Sequence, residues 1–225
     1  MRAATGLVGM AAMAAAHPLT ARQSVTCVSG LYMLAARGST EDPGEGPLSQ
    51  VTDMVESLVP GSTSVAVDYP ASIFTDGTYP VSVIDGINDA ISKIQAYVDA
   101  CGSSSRIALL GFSQGGNVMT DALAGGVLKP APLTSDYSKY LVAVTVFGDP
   151  TYTTGQSFDQ GNATSNGIFS RGGDSLAMLN TYADIIQSYC MDNDPVCAEG
   201  LSLDTHSAEV PTFAQAAAQF IASKA

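Results

Sequence analysis

The sequence predicts an α/β fold: a three-layer α/β/α sandwich around a mostly parallel sheet of about five strands. Three observations carry this. Strand-like and helix-like patterns alternate along the chain. Residues 141–147 (LVAVTVF) form an unbroken apolar run, as in strands of parallel sheets that are buried on both faces. Val83, Ile84, Ile87, Ile91, Ile94 and Val98 recur at three- and four-residue steps, the stripe of an amphipathic helix that closes near Gly102.

The elements follow in order. Residues 30–36 read as the first strand and 63–67 as the second, both β-branched or apolar. The amphipathic helix comes next. Residues 106–110 read as a buried strand, and 115–124 as a short helix. After the strand at 141–147, residues 185–189 form a weaker fifth. Residues 213–222 read as an Ala-rich terminal helix begun by Pro211. Residues 155–173 are polar and loop-rich, and are expected to make one long surface excursion. There is no internal repeat and no interdomain linker.

A chain of 225 residues suits a single domain. Hydrophobic residues make up 46% and charged ones 13%, which supplies a core and excludes a disordered chain. Acidic residues outnumber basic ones 21 to 9, for a net charge of −12. That argues against nucleic acid and anionic membrane surfaces, which select basic patches. Past residue 25 no apolar run reaches the roughly 20 residues a membrane span needs.

The start of the chain has the pattern of an export signal. Met1 and Arg2 precede a small, apolar, uncharged stretch to Ala16, and His17-Pro18 follow. A signal peptide is expected over residues 1–16, with a second cut near Arg22 and one domain over 23–225. The protein is expected to be secreted. Export favours disulfides among Cys27, Cys101, Cys190 and Cys197. Three pairings are possible. Spacing favours a local Cys190–Cys197 clip, which leaves Cys27–Cys101. No metal site is expected, because neither pair has metal-ligand spacing and histidine is nearly absent. Asn162-Ala163-Thr164 is a glycosylation acceptor.

The strongest chemical signal is Gly111-Phe112-Ser113-Gln114-Gly115, a G-x-S-x-G between a strand and a helix. That setting places a serine on a strained turn, exposed at the C-terminal edge of the sheet. A serine nucleophile needs a base. His206 is the one imidazole left once His17 is removed with the leader, and it lies after the last strand. The acid must fall between them. Asp194 is the best candidate, inside the short cysteine loop. Asp192 is its neighbour, and Asp149 is better read as capping the turn after a strand. Gly173-Asp174-Ser175-Leu176 spells the block of another esterase class, but it lies far from the N-terminus and position 203 is Leu where that class has Asp. No phosphate-binding glycine motif is present.

With these residues in view, the sequence resembles the cutinase and acetylxylan esterase family of secreted serine esterases, over nearly all of the mature chain. Ala36-Arg37-Gly38-Ser39-Thr40-Glu41, residues 111–115, and Cys190 to Cys197 with Asp194-Pro195-Val196 carry the likeness. The resemblance implies a small, lidless α/β-hydrolase with a shallow site. It maps Ser113 to the nucleophile, Asp194 to the acid and His206 to the base. Ser39 and Gln114 map to the oxyanion-hole residues, and the pairing Cys27–Cys101 and Cys190–Cys197 matches. It implies no cofactor and an ester substrate; a monomer is expected.

Two features resemble the cutinase branch: residues 36–41 and the two disulfides. Val196 stands where acetylxylan esterases tend to carry Tyr, leaving room for a longer acyl chain. Asp68-Tyr69-Pro70-Ala71 and Gly115-Gly116 resemble the acetylxylan branch, and Glu199 and Asp204 make the loop before His206 polar beside Leu201 and Leu203. The cutinase-like reading leads and the acetylxylan reading is the alternative. A non-catalytic wall-binding protein is the reading from another class, opposed by the intact Ser113, Asp194 and His206.

Overall fold

The computed structural model describes residues 25–225. The expected signal peptide, the cut near Arg22 and His17 lie outside them. The strands are β1 (Tyr32–Ala36), β2 (Thr63–Ala66), β3 (Ile107–Phe112), β4 (Leu141–Phe147), β5 (Asp159–Gly161) and β6 (Ile186–Cys190). The helices are α1 (Ser49–Leu58), α2 (Tyr79–Cys101), α3 (Gln114–Ala124), α4 (Ser135–Ser138), α5 (Gly173–Asn180) and α6 (Leu203–Ser223).

The strands form one sheet in the order β2-β1-β3-β4-β6-β5, and every adjacent pair is parallel. All strands therefore end at one edge. The loops after β1, β3, β4 and β6 converge there, and they carry Ser39, Ser113, Asp149 and Asp194. Side chains alternate across each strand. Leu34 and Ala36 of β1 join Val144 and Val146 of β4 against α2, α3 and α5. Met33 and Ala35 join Ala143 and Phe147 against α1 and α6. Both faces of β4 are covered, which is why residues 141–147 show no polar alternation.

Two expectations are corrected. The segment 155–173 is not a single surface excursion, because β5 lies inside it and adds a sixth strand at the sheet edge. Its three residues, Asp-Gln-Gly, carry no apolar signal, and backbone pairing with β6 alone makes them a strand. The last helix begins not after Pro211 but at Leu203. Ser202 caps it, its Oγ accepting from the Thr205 N–H at 3.1 Å. Pro211 sits inside the helix and removes one backbone donor, a cost of about 3 kcal/mol. Burial of Val210, Ala214, Ala217, Ala218 and Ile221 against the sheet offsets it. Helices α1, α4 and α5 are additions to the elements read from sequence.

Both expected disulfides are present. Cys27–Cys101 joins the segment before β1 to the end of α2, and Cys190–Cys197 closes the loop after β6.

Candidate active site

Ser113 forms the turn between β3 and α3 at φ 54° and ψ −118°. A non-glycine residue held there is strained by about 1–3 kcal/mol. Neighbouring glycines make the turn possible. A β-carbon on Gly115 would overlap the Ala36 carbonyl, and one on Gly111 would overlap the Gly115 backbone. The Ser113 N–H donates to the Phe147 carbonyl at 2.8 Å, which pins the turn to β4. The amino end of α3 points at the same spot and favours negative charge there.

His206 lies in the first turn of α6. Its ring is stacked on Phe112, with centroids 5.0 Å apart. His206 Nε2 is 2.9 Å from Ser113 Oγ, and Nδ1 is 2.7 Å from Asp194 Oδ2. Asp194 has no exposed surface. Its Oδ1 accepts the N–H groups of Val196 at 2.6 Å and Cys197 at 3.1 Å. Burial alone would raise the Asp194 pKa, but the His206 contact and these two donors outweigh it and hold the carboxyl below its usual range. A carboxylate only accepts, so Nδ1 carries the proton and Nε2 is free to take one from Ser113.

The other predicted residues take distinct places. Gln114 is buried; its Nε2 donates to the Ser72 carbonyl at 2.7 Å and to Ser39 Oγ at 3.2 Å. Its Oε1 accepts from Ser82 Oγ at 2.8 Å. Gln114 thus ties the loop after β1 to the one after β2. Neither the Ser39 nor the Gln114 N–H donates to another backbone group among the described residues outside regular elements. Asp149 is apart from this chain: it accepts from the N–H and Oγ1 of Thr151 and from Thr120 Oγ1, as a turn cap. Asp192 is exposed, and its N–H donates to Asn162 Oδ1. Asn162 is exposed too. Ser175 bonds Arg171 and the Gly125 carbonyl, away from the site.

Sequence reasoning missed three supports. Gly148 has φ 59° and faces the His206 ring. Glu41 accepts the Gly38 N–H at 2.7 Å and holds the loop that carries Ser39. Glu209, wholly buried one turn past His206, accepts the Met191 N–H at 2.6 Å. Its three-residue spacing from His206 is the one signal that could have found it.

The Cutinase family profile matches residues 27–225. The chain belongs to the Cutinase family. Among curated relatives of this family member, "Acetylxylan esterase 2" of Talaromyces purpureogenus is 32% identical, over 98% of this chain and 97% of its own length. "Cutinase 11" of Verticillium dahliae is 30% identical, over all of this chain and 77% of its own. Among solved structures, the catalytic core domain of acetyl xylan esterase from Trichoderma reesei aligns at TM-score 0.80 and 28% identity, covering 89% of this chain and 100% of that one. As a Cutinase family member the chain is an ester hydrolase of the cutinase and acetylxylan esterase type, on that family's α/β-hydrolase fold. Among the described residues no helix is long and apolar enough to cross a membrane.

Proposed function

We propose that the ester is cleaved by Ser113 through an acyl-enzyme. The observation that supports this best is the unbroken hydrogen-bond chain Ser113 Oγ, His206 Nε2, His206 Nδ1, Asp194 Oδ2. His206 Nε2 takes the hydroxyl proton as Oγ bonds to the ester carbonyl carbon. The carbonyl oxygen becomes an oxyanion, held by the N–H groups of Ser39 and Gln114. One such donor is worth about 3–4 kcal/mol of barrier. His206 returns the proton to the departing alkoxide. Water then loses a proton to His206 as its oxygen bonds to the acyl carbon; the bond from that carbon to Ser113 Oγ breaks, Oγ takes the proton back from His206, and the carboxylic acid departs. Asp194 keeps the imidazole oriented and its charge balanced. These steps need no metal or organic cofactor.

For the natural ester we propose acetyl groups on a plant cell-wall polysaccharide. The acetylxylan esterases that match along almost their whole length support this choice. A second reading, longer acyl chains as in cutin, is favoured by exposed Ile73, Phe74, Ile168, Phe169 and Leu201 on the loops at the catalytic edge and by exposed Leu203 at the start of α6. A kcat/KM series on p-nitrophenyl acetate, butyrate and octanoate, with acetylated xylan beside it, tests the choice. Acetate preferred by about tenfold or more, with acetate released from xylan, is the expected result. A preference for octanoate overturns it for the second reading. We further propose that the protein is exported, acts as a monomer and carries a glycan on Asn162. The leader pattern and the two closed disulfides support export, and the exposure of Asn162 supports the glycan. Cleavage at Ala16 or near Arg22 in secreted material, and a mass shift on deglycosylation, test it.

A further inference from the structure

Glu209 stands out among the buried groups that ester cleavage does not use. It lies on α6, three residues past His206, with no exposed surface. Its Oε1 accepts the N–H of Met191, the residue that opens the loop of the Cys190–Cys197 disulfide, at 2.6 Å. The Cys197 Sγ is 3.6 Å from the same oxygen. Its Oε2 has no hydrogen-bond partner among the described residues. The ionisable groups that face it are Asp194 from the loop after β6 and the Tyr152 phenol from the turn after β4, with His206 on its own helix. No lysine or arginine among the described residues pairs with it.

Two carboxyls crowded in a dry pocket do not both ionise, because their like charges repel where no water screens them. Asp194 has the imidazole and two N–H donors. Glu209 has a single donor and no cation. The proton therefore belongs on Glu209. We propose that Glu209 is a positioning residue for ester cleavage: as a neutral acid, it fastens the loop bearing Asp194 to the helix bearing His206. The clamp rests on the assignment of those two residues made above. It spans a joint that matters, since Asp194 stands on the loop after β6 and His206 on α6; it ties the start of that loop to α6, where Asn193 ties the loop's end through the N–H groups of Leu201 and Ser202. Burial and the Asp194 charge push the Glu209 pKa up to about 9, in keeping with the neutral form.

Glu209→Gln keeps the shape, the acceptor oxygen and the neutrality. Glu209→Leu removes the acceptor and leaves the Met191 N–H unpaired. The sign of the linkage is fixed. An unfolded glutamate ionises near pH 4.3, so a folded state that keeps the proton loses stability as pH rises. The Tm advantage of Glu209→Gln over wild type should be near zero at pH 4, grow steadily toward pH 9, and level off above it. At pH 7 Glu209→Gln should keep kcat within about twofold, while Glu209→Leu should lose about tenfold or more in kcat with KM little changed. If Glu209→Leu does not fold, the Glu209→Gln arms decide alone. A stability gap that does not vary with pH, or a tenfold loss in Glu209→Gln at pH 7, overturns the neutral clamp. Full kcat in a folded Glu209→Leu overturns the positioning role. The Tm comparison repeated on a Ser113→Ala background needs no activity, so it separates failure of this inference from failure of the nucleophile assignment.

Discussion

A β-carbon placed on Gly148 would lie 2.7 Å from Cε1 of His206 and 2.9 Å from its Nδ1. The glycine after β4 is part of the wall that fixes the imidazole plane. Gly148 also sits at φ 59°, where a side chain costs about 1–2 kcal/mol. Gly148→Ala should push the ring off both Asp194 and Ser113. The expected outcome is a loss of kcat of about tenfold or more with a Tm lowered by a few degrees. Steady-state kinetics with a melting curve checks both, and unchanged kcat would show that the ring has slack.

Ser113→Ala should remove ester turnover and leave the fold in place. The strained turn is held by the glycines and by the Phe147 carbonyl rather than by the hydroxyl. Covalent labelling by an organophosphate should vanish with it. Turnover above a few per cent of wild type, at an unchanged Tm, would remove Ser113 from the mechanism.

Asp194→Asn should lower kcat by about three to four orders of magnitude, because the amide can donate to Nδ1 and favour the wrong tautomer. Stability gives a second readout. Asp194 has a folded pKa below its unfolded value. Its contribution is therefore complete above the unfolded pKa of about 3.9 and is lost as pH falls through the folded one. Asp194→Asn should flatten that part of the acid unfolding curve. The same acid limb in both proteins would show that Asp194 is not paired in the folded state.

The two disulfides should separate stability from activity. In the chain-entropy model the seven-residue separation of Cys190 and Cys197 is worth about 2–3 kcal/mol, and the 74-residue separation of Cys27 and Cys101 about 4–5. Only the short loop carries Asp194. At equal folded fraction, the Cys190→Ser, Cys197→Ser pair should lose far more kcat than the Cys27→Ser, Cys101→Ser pair. Equal losses would mean that the short loop holds its shape without the bridge.

The residues that meet at the sheet edge were legible where chemistry restricts the choice. A serine between glycines on a strand-to-helix turn, and a single histidine past the last strand, leave little freedom. Asp194 was legible over Asp149 because a short closed loop can hold a carboxylate rigidly, whereas Asp192 shares that loop and only the family likeness set it aside. The structure buries Asp194, exposes Asp192 and gives Asp149 to Thr120 and Thr151. Burial on both faces made β4 readable to the residue. β5 was not, since a polar edge strand exists only through its partner's backbone. Pro211 hid the first turns of α6, because packing against the sheet overrides a local break. Glu209 was hidden for a different reason. Nothing local to it says that Met191 will arrive opposite, 18 residues earlier in the chain. The lean toward longer esters came from residues 36–41, the two disulfides and Val196, whereas the acetyl groups proposed above rest on acetylxylan esterases that match along almost their whole length.

The bridge between Cys27 and Cys101 has a practical side. It holds the chain before β1 at the sheet edge opposite Ser113. α6 runs back to that same edge, where Lys224 Nζ bonds the Asp184 carbonyl just ahead of β6. Both ends of the described chain therefore leave from the rear. An anchor attached there, whether a resin, a bead or a fused carbohydrate-binding module, would hold the molecule with its reactive edge facing outward toward an insoluble surface.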